Sequence, residues 1–558
     1  MSRLQGFING RIFTSVDEDD TLHDAMVIKG DTIEYVGSRE GPDNANLQAC
    51  LRNAIDLQGK VVLPGIIDAH THLTMMGASM LKLDMINLSA AQIQSRLQTA
   101  LARDPRATIL LGKSFLFDAL GRRPHRLILD EVVGEDLPVF IDSADLHSAW
   151  LSTGALKAIG VDDLTPDPPG GSFERDEKDR LTGLCLETAV TEFVWPYIAS
   201  LAHLEDRIRY LRNAFDQYLA VGVTGVVDMA MSEADLAALE ELHAREGRLP
   251  LRVSAHWLVN NIGTDESRAQ SVRLAAHHRD RLRKLDPWLQ VVGIKIISDG
   301  VVDSCTAYLT KSYANGSMAH PIWPMDALEP VVCLADSLDL QIAVHAIGDA
   351  ASSQALDAFE TAIRVNGSRP ARRHRLEHLE VVSPESISRL ARLGIVASLQ
   401  PVHADPVYVP NWRLMLGEDE RCDRAFPWTE YGDAQAHVAF GSDAPTAPHH
   451  CFPNLYTATT RQSGVNPKLP PSQNPRIEKL DRFCVSLETG IRYYTAGAAF
   501  SSRCEQGYGR LKRGMKADFC ILSIDPFLEG VQTLREAQEG VKQTWIAGVK
   551  VFDRGSPK

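Results

Sequence analysis

Two histidines, His70 and His72, stand one residue apart at the end of the apolar run "VVLPGIIDAHTHL", residues 61–73. Alternate residues of a strand share a face, so the two imidazoles project side by side. Two neutral imidazoles are half of the four donors of a zinc-type site. The other donors must come from elsewhere in the chain. Lys295 in "GIKIISDG", His345 in "AVHAIGD", His378 in "RLEHLE" and Asp443 in "FGSDAP" each end an apolar, strand-like stretch. Each also has a plainer reading. His345 and His378 could be satisfied core or surface groups, and Asp443 could cap a following helix. Lys295 is harder to explain that way, because an ammonium in an apolar strand is costly to bury unpaired.

Those residues need a scaffold that gathers strand ends. Short β-rich segments recur at 66–72, 223–229, 251–257, 292–298, 341–346, 374–379, 395–401 and 437–443, with helix-patterned stretches between them. Parallel βα units read this way, and eight strands make a (β/α)8 TIM barrel, whose active sites lie at the C-terminal strand ends. A ninth run, "LPVFIDSADLH" at 137–147, falls in the long gap between the first two strands. It is assigned to an insertion, about 80–205, over the active-site end. The first 62 residues and residues 501–558 carry further strand-like runs broken by N-G, K-G-D and Q-G turns. They are expected to build one small β-sandwich domain from both termini, around a barrel at 63–500.

Composition narrows the function. With 44% hydrophobic and 23% charged residues the chain is ordinarily globular, and a net charge of −14 disfavours nucleic acid or an anionic membrane as partner. A small-molecule substrate is expected. The opening residues lack the apolar core of a signal peptide, and no apolar window is long enough for a membrane span. Nine cysteines without a C-x-x-C pair read as reduced thiols, so a cytoplasmic location is expected. A barrel of this size is compatible with a homodimer.

The motifs "NGRIFT", "PGIIDAHTHL", "DLHSAW", "TPDPPGG", "LTGLCLE", "GVTGVVD", "VHAIGD", "RLEHLE", "LQPVHAD", "AFGSDAP", "YTAGAA" and "GRLKRGMKADFCIL" span nearly the whole chain. Together they resemble the amidohydrolase superfamily, and within it the YtcJ-like amidohydrolase family 3, which includes N-substituted formamide deformylases. The resemblance implies that His70, His72, Lys295, His345, His378 and Asp443 are metal ligands, with Lys295 carboxylated to bridge two zinc ions. Carboxylation turns a repelling cation into a binding anion. One or two Zn2+ ions are expected, although iron, manganese or cobalt accept the same donors. The sequence departs from the usual pattern at "DGVVDSCTA", residues 299–307, where Cys305 replaces an arginine that could hold an anionic group bidentately.

The implied activity is hydrolysis of a carbon–nitrogen bond outside peptides, in a small amide, N-substituted formamide or cyclic amide, with Asp443 as general base and then acid. His147 in "DLHSAW" is the first residue expected to touch the substrate oxygen. Glu187, Cys305 and His403 are further pocket candidates. Glu187 could instead pair with an arginine, Cys305 fill a loop, and His403 be a loop histidine. Asp349 is expected to cap the helix after strand five, and Arg375 and Glu377 to be structural ions between barrel and helices. Trp150, Trp412, Phe115 and Phe117 could form an aromatic wall, although aromatics pack into cores more often. A decarboxylase or lyase, an ester or lactone hydrolase, and a catalytically silent scaffold are the competing functions.

Overall fold

A computed structural model describes the chain except residues 1–3, 18, 145, 147, 169–170, 370–371, 418–419, 467–468, 470–479, 536 and 556–558. The chain divides into two compact units, Met1–Leu73 with Ala214–Lys558, and Thr74–Asn213.

In the first unit, eight parallel strands pair in chain order: Ile66–Thr71, Val223–Met231, Arg252–Leu258, Leu289–Ile297, Gln341–Ala346, Arg375–His378, Val396–Leu399 and Val438–Phe440. The ring closes between its first and last members. Thr71 bridges Ala444 in parallel, Asp443 N donates to His70 O at 2.7 Å, and His72 N donates to Ala444 O at 2.9 Å. This is the expected TIM barrel. Closure needs a glycine, because a Cβ on Gly441 would lie 2.5 Å from the His70 nitrogen. The last two strands are shorter than their apolar runs suggested, and the residues beyond them form the loops that carry His403 and Asp443.

Helices return the chain between strands, with starts written locally in the sequence. Ser232, Thr264 and Ser383 accept from the backbone N–H three residues on and so cap Glu233–Glu246, Asp265–Leu282 and Pro384–Leu393. Asp349 is not a cap. Gly348 holds that position, and Asp349, the first residue of Asp349–Asn366, accepts from Thr310 N at 2.8 Å.

Strands from both termini join one continuous sheet, in the order Val549–Asp553, Val541–Ile546, Phe519–Leu522, Val61–Pro64, Leu4–Ile12, His23–Lys29 and Thr32–Gly37, with Ile55–Asp56 beside Leu4–Ile12. Its core packs Phe7, Phe519 and Trp545 with ring centroids 5.3–5.5 Å apart. A buried ion pair, Arg252 to Asp518 at 2.6 and 3.1 Å, ties this sheet to the barrel.

The second unit has its own six-stranded sheet, ordered Gly171–Arg175, Leu181–Glu187, Ser148–Leu151, Val139–Ser143, Leu110–Phe115 and Leu83–Asp84. The 137–147 run thus supplies Val139–Ser143 to a sheet outside the barrel. Phe115 and Trp150 are fully buried in this unit's apolar core, the commoner of the two places expected for them. Among the described residues, no helix is long and apolar enough to cross a membrane.

Candidate metal centre

The closed ring sets the first and eighth strand ends side by side, and Asp443 lies among imidazoles from both sides of the mouth. Its Oδ1 is 3.4 Å from His70 Nε2 and 3.1 Å from His72 Nε2, and its Oδ2 is 3.4 Å from His403 Nε2. One donor atom from each of His70, His72 and Asp443 fits within a 4.8 Å span, and so does one from each of His378, His403 and Asp443. Two of these side chains are aimed by unusual backbone. Asp443 has φ +60° and His378 has φ +76°, left-handed values that non-glycine residues adopt at a cost and that cluster at functional sites.

Lys295 and His345 complete the interior. Lys295 is 2% exposed, and burial pulls its amine down to about 8, against the attraction of Glu377 and Asp443. The His345 ring lies 4.4 Å from that of His378, and its Nε2 is 3.1 Å from the Gly300 carbonyl oxygen.

Electrostatics keep these groups in the forms that bind metal. Burial, reinforced by the Lys295 charge, lowers His70 to about 4 and His345 to about 3, and burial with neighbouring imidazoles holds His378 well below its ordinary value. These imidazoles are therefore neutral. Burial works against the Asp443 carboxylate, but His70, His403 and His72 outweigh it and keep the group ionised. His403 is the exception: burial is opposed by Asp443 and Glu380, which lift it to about 10 and keep its ring protonated between the two carboxylates.

The hydrogen-bond accounting agrees with a cation site. His70 Nε2, His72 Nδ1, His378 Nδ1 and Asp443 Oδ1 are buried, and none makes a hydrogen bond. Such an atom costs about 1–3 kcal/mol unless something else meets it, and His70 Nε2 and Asp443 Oδ1, 3.4 Å apart, are a facing pair that a divalent ion would satisfy.

Supporting groups complete the site, and sequence reasoning missed most of them. Glu377 Oε2 accepts from His70 Nδ1 at 2.7 Å. Arg375 donates to both Glu377 oxygens at 2.8 and 3.0 Å, and also to Ala69 O and Ser398 Oγ at 2.7 Å. Both ions are fully buried inside the barrel, not between barrel and helices as expected. Strict alternation misled here, because the left-handed turn at His378 lets consecutive residues serve one site. Asp68 joins the first and eighth strands by accepting from His70 N at 3.2 Å and from Ser442 N at 2.9 Å. Asp299 accepts from Tyr308, Ile347 and Gly348 N–H groups and fixes the loop after strand four. Each follows or precedes a ligand candidate in an apolar run, the one signal that could have flagged it.

Cys305 and Glu187, two of the remaining pocket candidates, belong to different units. Cys305 Sγ contacts Met415 Sδ at 3.2 Å, burial raises its thiol, and neither donor group includes it. Trp412 is 3% exposed and stacks on Phe426 at 5.1 Å, so it is core and not a pocket wall. Glu187 ends a strand of the second unit, half-buried with φ +54°. His147 lies outside the described residues.

Comparison with known proteins agrees with this geometry. The model of the amidohydrolase family matches residues 53–552. YtcJ of Bacillus subtilis is 29% identical, over 98% of each chain. The N-substituted formamide deformylase of Arthrobacter pascens is 26% identical, also over 98% of each. A crystal structure of an uncharacterized metal-dependent hydrolase from Pyrococcus horikoshii superposes with a TM-score of 0.74 at 26% identity, covering 95% of this chain and 99% of that one. With a closed βα ring, an imidazole–carboxylate mouth and a family match across nearly its full length, the chain belongs to the amidohydrolase family.

Proposed function

We propose that this protein is a metal-dependent hydrolase that cleaves a carbon–nitrogen bond, other than a peptide bond, in a small amide, N-substituted formamide or cyclic amide. One observation carries the reading: a single buried carboxylate, Asp443, lies within 3.1–3.4 Å of three imidazoles while its Oδ1 has no hydrogen bond. The family match and the deformylase relative support the bond class.

His70, His72 and Asp443 would hold one ion, and Lys295, His345 and His378 would serve a second, with zinc the first choice for such donors. A divalent ion bound there brings the pKa of water toward about 7 and polarises a carbonyl oxygen. Asp443 accepts the proton of the attacking water and returns it to the nitrogen as the carbon–nitrogen bond breaks, so acid and amine leave in balance. Glu377 fixes the tautomer and angle of His70 through the 2.7 Å hydrogen bond at Nδ1. Lys295, with its amine lowered to about 8, keeps free amine available near neutral pH for carbon dioxide to convert into a carbamate, with loss of one proton. Cys305 supplies no cation for an anionic substrate group, so neutral amides fit better than acidic ones.

The deciding experiment is elemental analysis of the purified protein combined with a screen of N-formyl and N-acyl amines. Amine, ammonia and formate are to be detected separately from carbon dioxide. Amine with formate or acid is expected. Carbon dioxide alone would assign a decarboxylase, and metal-loaded protein inert to the whole amide and ester panel would favour the silent scaffold.

A further inference from the structure

We propose that the barrel mouth carries an apolar subsite built on Ile297, and that it takes a hydrocarbon substituent of the substrate. The inference rests on the reading that this mouth binds a small molecule, and not on which bond of it is cleaved.

Pairing register places Ile297 on the site's own face. Side chains alternate between the two faces of a sheet, and residues paired across neighbouring parallel strands share one of them. Leu258 pairs with Lys295, Lys295 with Ala343 and Ala343 with Arg375, which makes one layer of inward residues. The next layer toward the mouth follows two residues on, where Ile297 pairs with His345, His345 with Glu377 and Glu377 with Ser398. Three members of that layer are polar, and the fourth is a hydrocarbon. Burial agrees with this direction. Ile294 and Ile296, on the opposite face of the same strand, are fully buried, whereas Ile297 is 37% exposed. An isoleucine that faces the inside of a barrel and still meets solvent fills no core.

Neighbouring strand exits extend the patch. Ile322 N donates to Ser298 O at 2.9 Å, so the loop after strand four folds back along the exit of Ile297, and Ile322 is itself exposed. Asn261 Nδ2 donates to Ile322 O at 2.9 Å, which ties the loop after strand three to the same place, and Ile262 on that loop is exposed as well. Exposed apolar residues are ordinary when scattered, but three isoleucines from adjacent strand exits, beside a polar layer, mark a binding surface. The exits of strands six, seven and eight carry His378, His403 and Asp443 instead. The mouth is therefore one-sided, with ionisable groups on one arc and hydrocarbon on the other. A substrate with an alkyl or aryl group beside its reacting centre meets both arcs at once. An unsubstituted one leaves the apolar arc wet.

The test is calorimetric binding of two homologous series to the full-length protein: n-alkylamines from ethyl to octyl, and n-alkanoates from acetate to octanoate. These are the products that the two orientations of an amide would release, so no turnover is needed. Wild type is expected to bind one series about 3–4-fold more tightly per added methylene. The series that responds identifies which side of the amide lies on Ile297. Ile297→Asn is expected to cut the gain to less than about 2-fold per methylene, with circular dichroism and metal content as in wild type. Ile322→Gln, on an exposed loop, is expected to lower the gain for the longer members, and it carries the test should Ile297→Asn fold poorly. No dependence on chain length in either series, or a wild-type slope in both variants, would overturn the subsite and leave the hydrolase reading standing. A chain-length slope that Ile297→Asn abolishes, in protein that releases neither amine nor acid from any amide, would keep the subsite and overturn the bond class.

Discussion

The barrel buries two histidine–carboxylate clusters that use the same residue types in opposite ways. On the flank, Asp336 accepts from Arg372 Nε at 2.6 Å, His374 Nε2 at 3.1 Å and Asn366 Nδ2 at 2.8 Å, while His374 Nδ1 accepts from Ile342 N at 3.2 Å. Every polar atom of that histidine and carboxylate is used. At the mouth, His70 Nε2, His72 Nδ1, His378 Nδ1 and Asp443 Oδ1 are buried and unused. Residue type therefore does not separate a structural cluster from a reactive one. The distinction lies in whether the hydrogen bonds balance without an added ion.

The largest effect should come from the centre of the unbalanced cluster. Asp443→Asn removes both a charge and a proton acceptor, and turnover of any amide the native protein cleaves should fall on the order of 10^4-fold with the fold intact by circular dichroism. Full activity in that variant, with metal still bound, would show that the mouth is not the reaction site.

Asp336→Asn should do the reverse, lowering unfolding free energy by about 3 kcal/mol in urea titrations with metal content unchanged. That loss should depend on pH. Burial alone would raise the Asp336 carboxyl, but hydrogen bonds from His374, Arg372 and Asn366 hold it below its ordinary 3.8. A depressed folded-state value contributes stability that is full above 3.8 and fades as pH falls below it toward the folded value. The gap between wild type and Asp336→Asn should then narrow from pH 5 to pH 3, and a gap that stays constant would remove ionisation as its cause.

A smaller effect is expected one bond back from the mouth. Glu377→Gln should leave the donors of the site in place but weaken metal retention about 10–100-fold in competition with a chelator, because the His70 ring loses its charged partner. Smallest of all is Cys305→Ser. With Sγ against Met415 and outside both donor groups, it should shift stability by less than about 1 kcal/mol and leave the metal count alone.

Much of this arrangement was legible in the sequence, for a definite reason. Lys295, His345, His378 and Asp443 interrupt apolar strands where burial without a purpose is expensive, so polarity marked them. The barrel was legible for a related reason: a strand covered on both faces reads as one continuous apolar run, and eight such runs stand out. Faces were harder to read. A period of two says which residues share a side but not which side faces inward, so Arg375 and Glu377 were placed outside when they support the site. The left-handed residues His378 and Asp443 break the period altogether. His403 was named as a pocket candidate, but Glu380 was hidden because it follows a strand end, where loop geometry and not alternation sets direction. Phe115, Trp150 and Trp412 were left open between core and pocket wall, because an aromatic's hydropathy is the same in both, and they took the commoner place in the core.

The closure of the ring has a consequence for assembly. Asp443 N donates to His70 O across a sequence separation of more than 370 residues, so the shared carboxylate meets its imidazoles only when the last strand docks on the first. A growing chain that has emerged through the seventh strand already carries every histidine of the mouth but not the carboxylate that lies among three of them. Ion capture would then timestamp the final docking step, and a captured ion would act as a clasp, favouring the finished ring over any open precursor by its affinity for the completed site alone.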